Sequence, residues 1–395
     1  MSSTLDTTFA PYASARSESR VVTPDFAWHA YAVVLAAAMV VTGLLWDISW
    51  HMSIGRDTFW TPAHLLIQGG GLIAGVGSGY LALRTTFVGT EAERASSVSF
   101  WGFRAPLGAW VCVLGCGAML TSAPFDDWWH NAYGLDVKIV SPPHILLGYG
   151  MLGIVLGALL RTLALQNGTD EKVRARASAL FAVSSGLLLT IVTVFLFEYS
   201  NPVRQHLASF YRPASANIPI LLVAVAVAGR RRWSATLAAV VYMVVLAVTS
   251  WVLMLFPASP KLGPIYQPIT HYVPLDFPLL LVVPALAIDL TWQRIRGWST
   301  WRAAPLLGAV FLVTLIAAQW PYSSFVLGHG RNWFFHLDNF VYWQELGSEH
   351  WRYTFREPWP GEPPQSLQYG LALLYATISS AVGLAWGRWM SRVRR

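Results

Sequence analysis

The sequence predicts an all-α fold, a polytopic integral membrane bundle of about ten transmembrane helices, and three observations predict it. Of 395 residues, 55% are hydrophobic and only 12% are Asp, Glu, Lys or Arg, where a soluble domain carries about a quarter charged. Apolar stretches near or above the ~20 residues that span a bilayer recur along the chain. Lys and Arg, which leave a net charge of +7, gather in short clusters between those stretches, so the basic excess reads as topology rather than as a nucleic-acid surface.

In order, the spans are expected at 26–50, 61–86, 105–123, 141–165, 178–198, 214–229, 234–257, 275–293, 302–320 and 369–388. The first opens after a Ser/Thr-rich stretch carrying Arg16 and Arg20, in which no apolar core with a cleavage site marks a signal peptide. The second and fourth begin at Thr61-Pro62 and Ser141-Pro142, an N-cap residue followed by proline at the first helical position. Arg104 precedes the third, and Lys172, Arg174 and Arg176 precede the fifth. The sixth is shortened by Pro219 and stopped by Arg230 to Arg232, after which the seventh starts. Pro274 and Arg294 bracket the eighth, Arg302 opens the ninth, and Arg388 closes the tenth.

With the N-terminus inside, nineteen of the 27 Lys and Arg residues fall in inner segments and eight in outer ones, the asymmetry expected of cytoplasmic loops. The expected location is therefore a bacterial-type plasma (inner) membrane, with both termini cytoplasmic. The chain divides into a cytoplasmic tail (1–25), a tandem-repeat metal-binding region (26–170), further spans (171–320), a long outer segment (321–368) and a last span with a basic tail (369–395). Nine of the ten histidines, all but His29, fall at or beyond the outer helix ends.

A tandem helix-loop-helix repeat, about 26–86 and 105–165, carries the chemistry. Asp47, Trp50 and His51 recur 79 residues later as Asp126, Trp129 and His130, and Gly55 and Asp57 recur as Gly134 and Asp136. Thr61-Pro62-Ala63-His64 returns as Ser141-Pro142-Pro143-His144 at an offset of 80. Asp47 and His51 are four apart and stack on one helical face, while His64 opens the facing helix. The positive end of that helix dipole disfavours imidazolium and so favours a ligating, neutral ring. Each unit thus offers two imidazoles and a carboxylate, a set suited to copper, zinc or non-haem iron: Asp47, His51 and His64 in the first, Asp126, His130 and His144 in the second. Asp126 is preferred to Asp127 because it lies one turn from His130. Asp57 reads as a local partner of Arg56 or an Asx turn. The two units could also converge on one dinuclear site.

The run Asp47-x3-His51, Arg56-Asp57-Thr58 and Thr61-Pro62-x-His64 resembles the motif of the C subunit of the copper membrane monooxygenases, the particulate methane and ammonia monooxygenases, over residues 47–64. That resemblance implies copper at Asp47, His51 and His64, and oxidation of a small apolar substrate by dioxygen. It further implies partner subunits or a homo-oligomer, with a quinol or other electron donor. The alternative is a non-enzymatic membrane protein that binds, delivers or assembles copper or zinc. Besides the bilayer, no nucleic-acid partner is expected.

Elsewhere, Cys112 and Cys116 lie one turn apart among Gly115 and Gly117, read as small-residue packing, with soft ligation of a cuprous ion in transit as the functional alternative. Gly69 to Gly71, Gly75, Gly77 and Gly79 give the second span a close-packing face. Asp289, near the inner end of the eighth span, reads as helix-end snorkelling or a pair with Arg294 rather than a proton path. The outer segment 321–368 carries His329, His336, Asp338, Glu345, Glu349 and His350, and is expected to lie over the metal units as a lid, with a short helix around 338–351, or to dock a partner.

Overall fold

A computed structural model describes residues 26–134, 141–196, 200–330, 332–337, 340–345 and 354–394. Eleven α-helices stand among them, nine of which are long and apolar enough to cross a membrane. The protein is an all-α, multi-pass membrane bundle. The tail 1–25 lies outside the described residues.

The N-terminal repeat comprises α1 (Phe26–Ser53), α2 (Pro62–Phe87), α4 (Leu107–Tyr133) and α5 (Pro142–Gln166). Between its halves, α3 (Glu91–Ala95) and a two-stranded antiparallel hairpin, Val98–Phe100 with Phe103–Ala105, fill what reads in the sequence as plain loop. Glycine faces bring these helices together. Gly70 of α2 lies on Ala36 and Val40 of α1, Gly71 and Gly75 lie on Met119 and Cys116 of α4, and Gly115 of α4 meets Gly150 of α5. Small residues are how helices approach closely where lipid offers no hydrophobic drive.

The rest of the bundle is α6 (Glu171–Val194), α7 (Ala208–Ala228), α8 (Ser234–Leu253), α9 (Val282–Ile295), α10 (Thr300–Gly328) and α11 (Gln365–Met390). α7 is longer than expected, since Pro213 and Pro219 are accommodated inside it. It packs along α11, with Ser379 supplying a hydroxyl to the Ile220 amide one residue beyond Pro219. One shared core of buried residues runs through both parts.

The expected helix over 275–293 is corrected. Only Val282–Ile295 is helical, and 14 residues rise about 21 Å, short of the ~30 Å apolar layer. Ahead of α9 the chain is irregular, and Leu275, Leu279 and Leu281 are buried there. Amides that a helix would satisfy are satisfied by side chains here: Leu279 N–H donates to the Tyr242 hydroxyl (2.9 Å) and Leu280 N–H to Gln319 Oε1 (2.7 Å). Protein-covered irregular backbone is tolerated at this depth.

Asp289 is also corrected. Instead of pairing with Arg294, it accepts the Ala235 N–H, the Thr236 N–H (2.9 Å) and the Thr236 hydroxyl (2.7 Å) at the start of α8. The residue before that helix, Trp233, offers no side-chain cap, so a carboxylate from the neighbouring helix satisfies its open amides and complements its dipole.

Candidate metal centre

The end of α1 and the start of α2 converge at one end of the bundle. α1 continues three residues past its expected end, which puts Asp47 and His51 on its last two turns. Gly55, at φ +83°, turns the chain back, a left-handed conformation that a side chain opposes. Trp50 Nε1 holds the loop by donating to Arg56 O (3.0 Å). Thr61 stands at the N-cap of α2 but makes no capping bond. Its Oγ1 accepts from Thr58 N–H (2.9 Å) and donates to Thr58 O (2.7 Å), so it closes the loop rather than the helix.

That loop orients His64. Its Nδ1 lies 2.9 Å from Thr58 O and can only donate to a carbonyl, which leaves Nε2 facing Asp47 Oδ1 at 3.0 Å and Asp57 Oδ2 at 3.4 Å. His51 Nε2 lies 3.5 Å from Asp57 Oδ2 and 3.8 Å from Asp47 Oδ2. Donor atoms of Asp47, Asp57 and His64 thus gather within 4.8 Å of one another, with His51 Nε2 against both carboxylates, an arrangement that a metal ion would suit. Donors about 2.1 Å from a tetrahedral metal stand about 3.4 Å apart, and these separations bracket that value. A backbone carbonyl orienting a ligating ring is the outer support such sites use.

Asp57, Asp47 and His64 present donor atoms within 4.8 Å of one another. Asp57 thus sits with the ligand candidates and not in a local turn with Arg56. Its repetition as Asp136 was the one sequence signal that pointed there, and Asp136 lies outside the described residues.

The second unit places the same atoms in the same relation. Asp126 Oδ2 is 3.3 Å from His130 Nε2, and Asp126 Oδ1 is 3.6 Å from His144 Nε2. His130 Nδ1 lies 3.3 Å from Gly134 O, and Gly134 has φ +90°. Ser141 does cap its helix, accepting from the His144 amide (3.4 Å). The Asp127 carboxylate accepts from Asn131 Nδ2 (3.4 Å), while Asp126 meets both imidazoles, which favours Asp126 as the bridging carboxylate. Among the described residues, the group of three or more candidate ligands whose donor atoms lie within 4.8 Å of one another is Asp47, Asp57 and His64 of the first unit.

The outer segment reaches the first unit. Tyr342 packs directly on Gly55, its carbonyl accepts the amides of Tyr266 and Gln267, and Lys261 N–H donates to Ile54 O (2.8 Å). His336, in the left-handed region at φ +60°, anchors this segment with Nδ1 2.7 Å from Leu275 O. Burial pushes its pKa down to about 4. Residues 340–345 are not helical; Asp338, Glu349 and His350 lie outside the described residues. His206 is stacked between Trp320 (ring centroids 4.1 Å apart) and Phe355 (3.5 Å), and partial burial lowers its pKa.

Comparison of the chain with protein families, with curated proteins and with solved structures gives no match.

Proposed function

We propose that this protein is a membrane metalloprotein holding one metal ion in each Asp/His unit at the outer face of a bacterial-type plasma membrane, with copper as the metal and a small apolar molecule as the substrate oxidised. The grouping of Asp47, Asp57 and His64 donor atoms within 4.8 Å, with His51 Nε2 3.5 Å from Asp57 Oδ2 beside them, carries the reading. The donor set is two nitrogens with carboxylate oxygens, which suits copper, zinc or iron, and the resemblance over residues 47–64 selects copper. When bound, copper supplies dioxygen activation, with electrons from a quinol-class donor.

The chain's own residues bind and orient. Asp47 and Asp126 each bridge two imidazoles, and Thr58 O holds the His64 ring with Nε2 inward. Phe59, Trp60 and Leu65 flank the first unit with exposed apolar side chains, a route for a substrate dissolved in lipid.

Delivery of copper or zinc to a partner is the second reading, favoured by the 46% exposure of the His51 side chain, which gives a partner access to the ion. Elemental analysis of the detergent-purified protein tests the common core: wild type binds copper, and His51→Ala and His130→Ala each lose one equivalent. Absence of metal from all three returns both units to protonated Asp/His clasps. Copper-dependent dioxygen uptake with quinol then separates oxidation from delivery.

A further inference from the structure

Inside the N-terminal repeat lies a second set of donors, of a different chemical kind. Cys112, Cys116 and Met119 follow one another on α4 at spacings of four and three, hence on one face. They are 0%, 8% and 0% exposed. Asp126 and His130 continue the same spacing toward the second unit, Asp126 being 14 residues or about 21 Å further along the helix.

Three polar groups meet this sulfur face. Ser78 of α2 is within hydrogen-bonding reach of the Cys112 thiol, and its Oγ lies 3.4 Å from His29 Nε2. His29 is 2% exposed, and its Nδ1 is buried with no partner. Cys112 Sγ packs on Gly157 of α5. One turn further along α5 stands Arg161, whose Nε is buried and also without a partner, and no ion pair of Arg161 occurs among the described residues. His29 and Arg161 are close enough for their charges to interact.

Arg161 is only partly buried, but a guanidinium set among helices with its Nε shielded and no ion pair among the described residues is costly, and ionisable groups at membrane depth mark function. Neutral thiols leave the charge uncompensated, whereas thiols that ligate a metal give up their protons. Two thiolates around a cuprous ion carry a net charge of −1, the complement of Arg161. We propose that Cys112 and Cys116, with Met119 beside them, bind one cuprous ion in the membrane interior on the path to the second Asp/His unit. Soft sulfur donors select this oxidation state. Binding releases two protons to solvent, and copper stays cuprous, so no electron moves.

The inference rests on copper being the metal this protein handles, and the test separates the two. Full-length protein is loaded anaerobically with cuprous ion against bathocuproine disulfonate, and copper content and K-edge X-ray absorption are measured. Wild type is expected to keep one equivalent with sulfur neighbours. Cys112→Ser/Cys116→Ser loses that equivalent with its gel-filtration profile unchanged, and Asp47→Ala keeps it. Copper surrounded only by nitrogen and oxygen in wild type, a result that needs no variant to fold, overturns the interior site and leaves the outer units standing. Survival of the sulfur-bound equivalent in the double serine variant overturns it equally. Sulfur-bound copper with nothing at the outer units overturns the reading of those units instead.

Discussion

In the first unit Asp47 turns Oδ1 to His64 and Oδ2 to His51, and in the second Asp126 turns Oδ1 to His144 and Oδ2 to His130. The helix ends are thus built alike, while the surroundings differ. Around the first unit, Thr61 closes the loop, Asp57 joins the cluster, and Tyr342 and Lys261 cover Gly55 and Ile54. Around the second, Ser141 caps its helix, and among the described residues nothing stands within contact distance of the space a side chain would take at Gly134. Helical spacing sets the bridging carboxylate and its first ring; the second ring comes from the start of the facing helix, and the connecting loop orients it and governs how accessibly an ion would be held.

The largest expected effect removes either bridge. Asp47→Ala and Asp126→Ala should each lose one metal equivalent, measured by elemental analysis, with the other unit's equivalent retained. Loss of both from one substitution would mean that the units act as one site.

Acid should distinguish the units next. His336 has its pKa lowered to about 4 from an ordinary 6.5, so the unfolded segment takes up the proton first as pH falls. Its contribution is complete above about pH 6.5 and is lost progressively toward pH 4, by about 3 kcal/mol in all. Hydrogen exchange of residues 332–345 should rise over that window, and metal release should quicken at the first unit more than at the second. His336→Phe should remove the difference, and equal quickening of both units in wild type would contradict the covering role of Tyr342.

Asp57→Asn should weaken only the first unit, by about ten- to a hundredfold in metal affinity, read by competition with a chelator. Smallest is the backbone effect. Alanine at Gly134 meets only left-handed strain, about 1 to 2 kcal/mol, whereas alanine at Gly55 also meets the Tyr342 hydroxyl. Gly55→Ala should therefore cost more in thermal denaturation, and equal costs would show that the outer segment yields freely.

What the sequence made legible follows from what is local. The repeat, the six ligand candidates and nine of the spans are written in spacing and hydropathy, because a helix converts spacing into a face. Asp57 could not be placed, since a loop's path has no such period; only its recurrence as Asp136 hinted at it. The break before α9 was hidden because Leu279, Leu280 and Leu281 are as apolar in irregular chain as in helix, and the amides' partners, Tyr242 and Gln319, lie on other helices. Asp289 misled for the same reason: the first amide it accepts, of Ala235, lies 54 residues upstream of it.

That break also bears on how the chain enters its membrane. A 14-residue helix preceded by open backbone cannot partition into lipid by itself, because its unsatisfied amides would each cost several kcal/mol there. Leu279 needs the Tyr242 hydroxyl from a helix already made, and Leu280 needs Gln319 from one still to be synthesised. The backbone of this segment is therefore satisfied only when α8 and α10 stand on either side of it, so its burial in the bilayer depends on both neighbours.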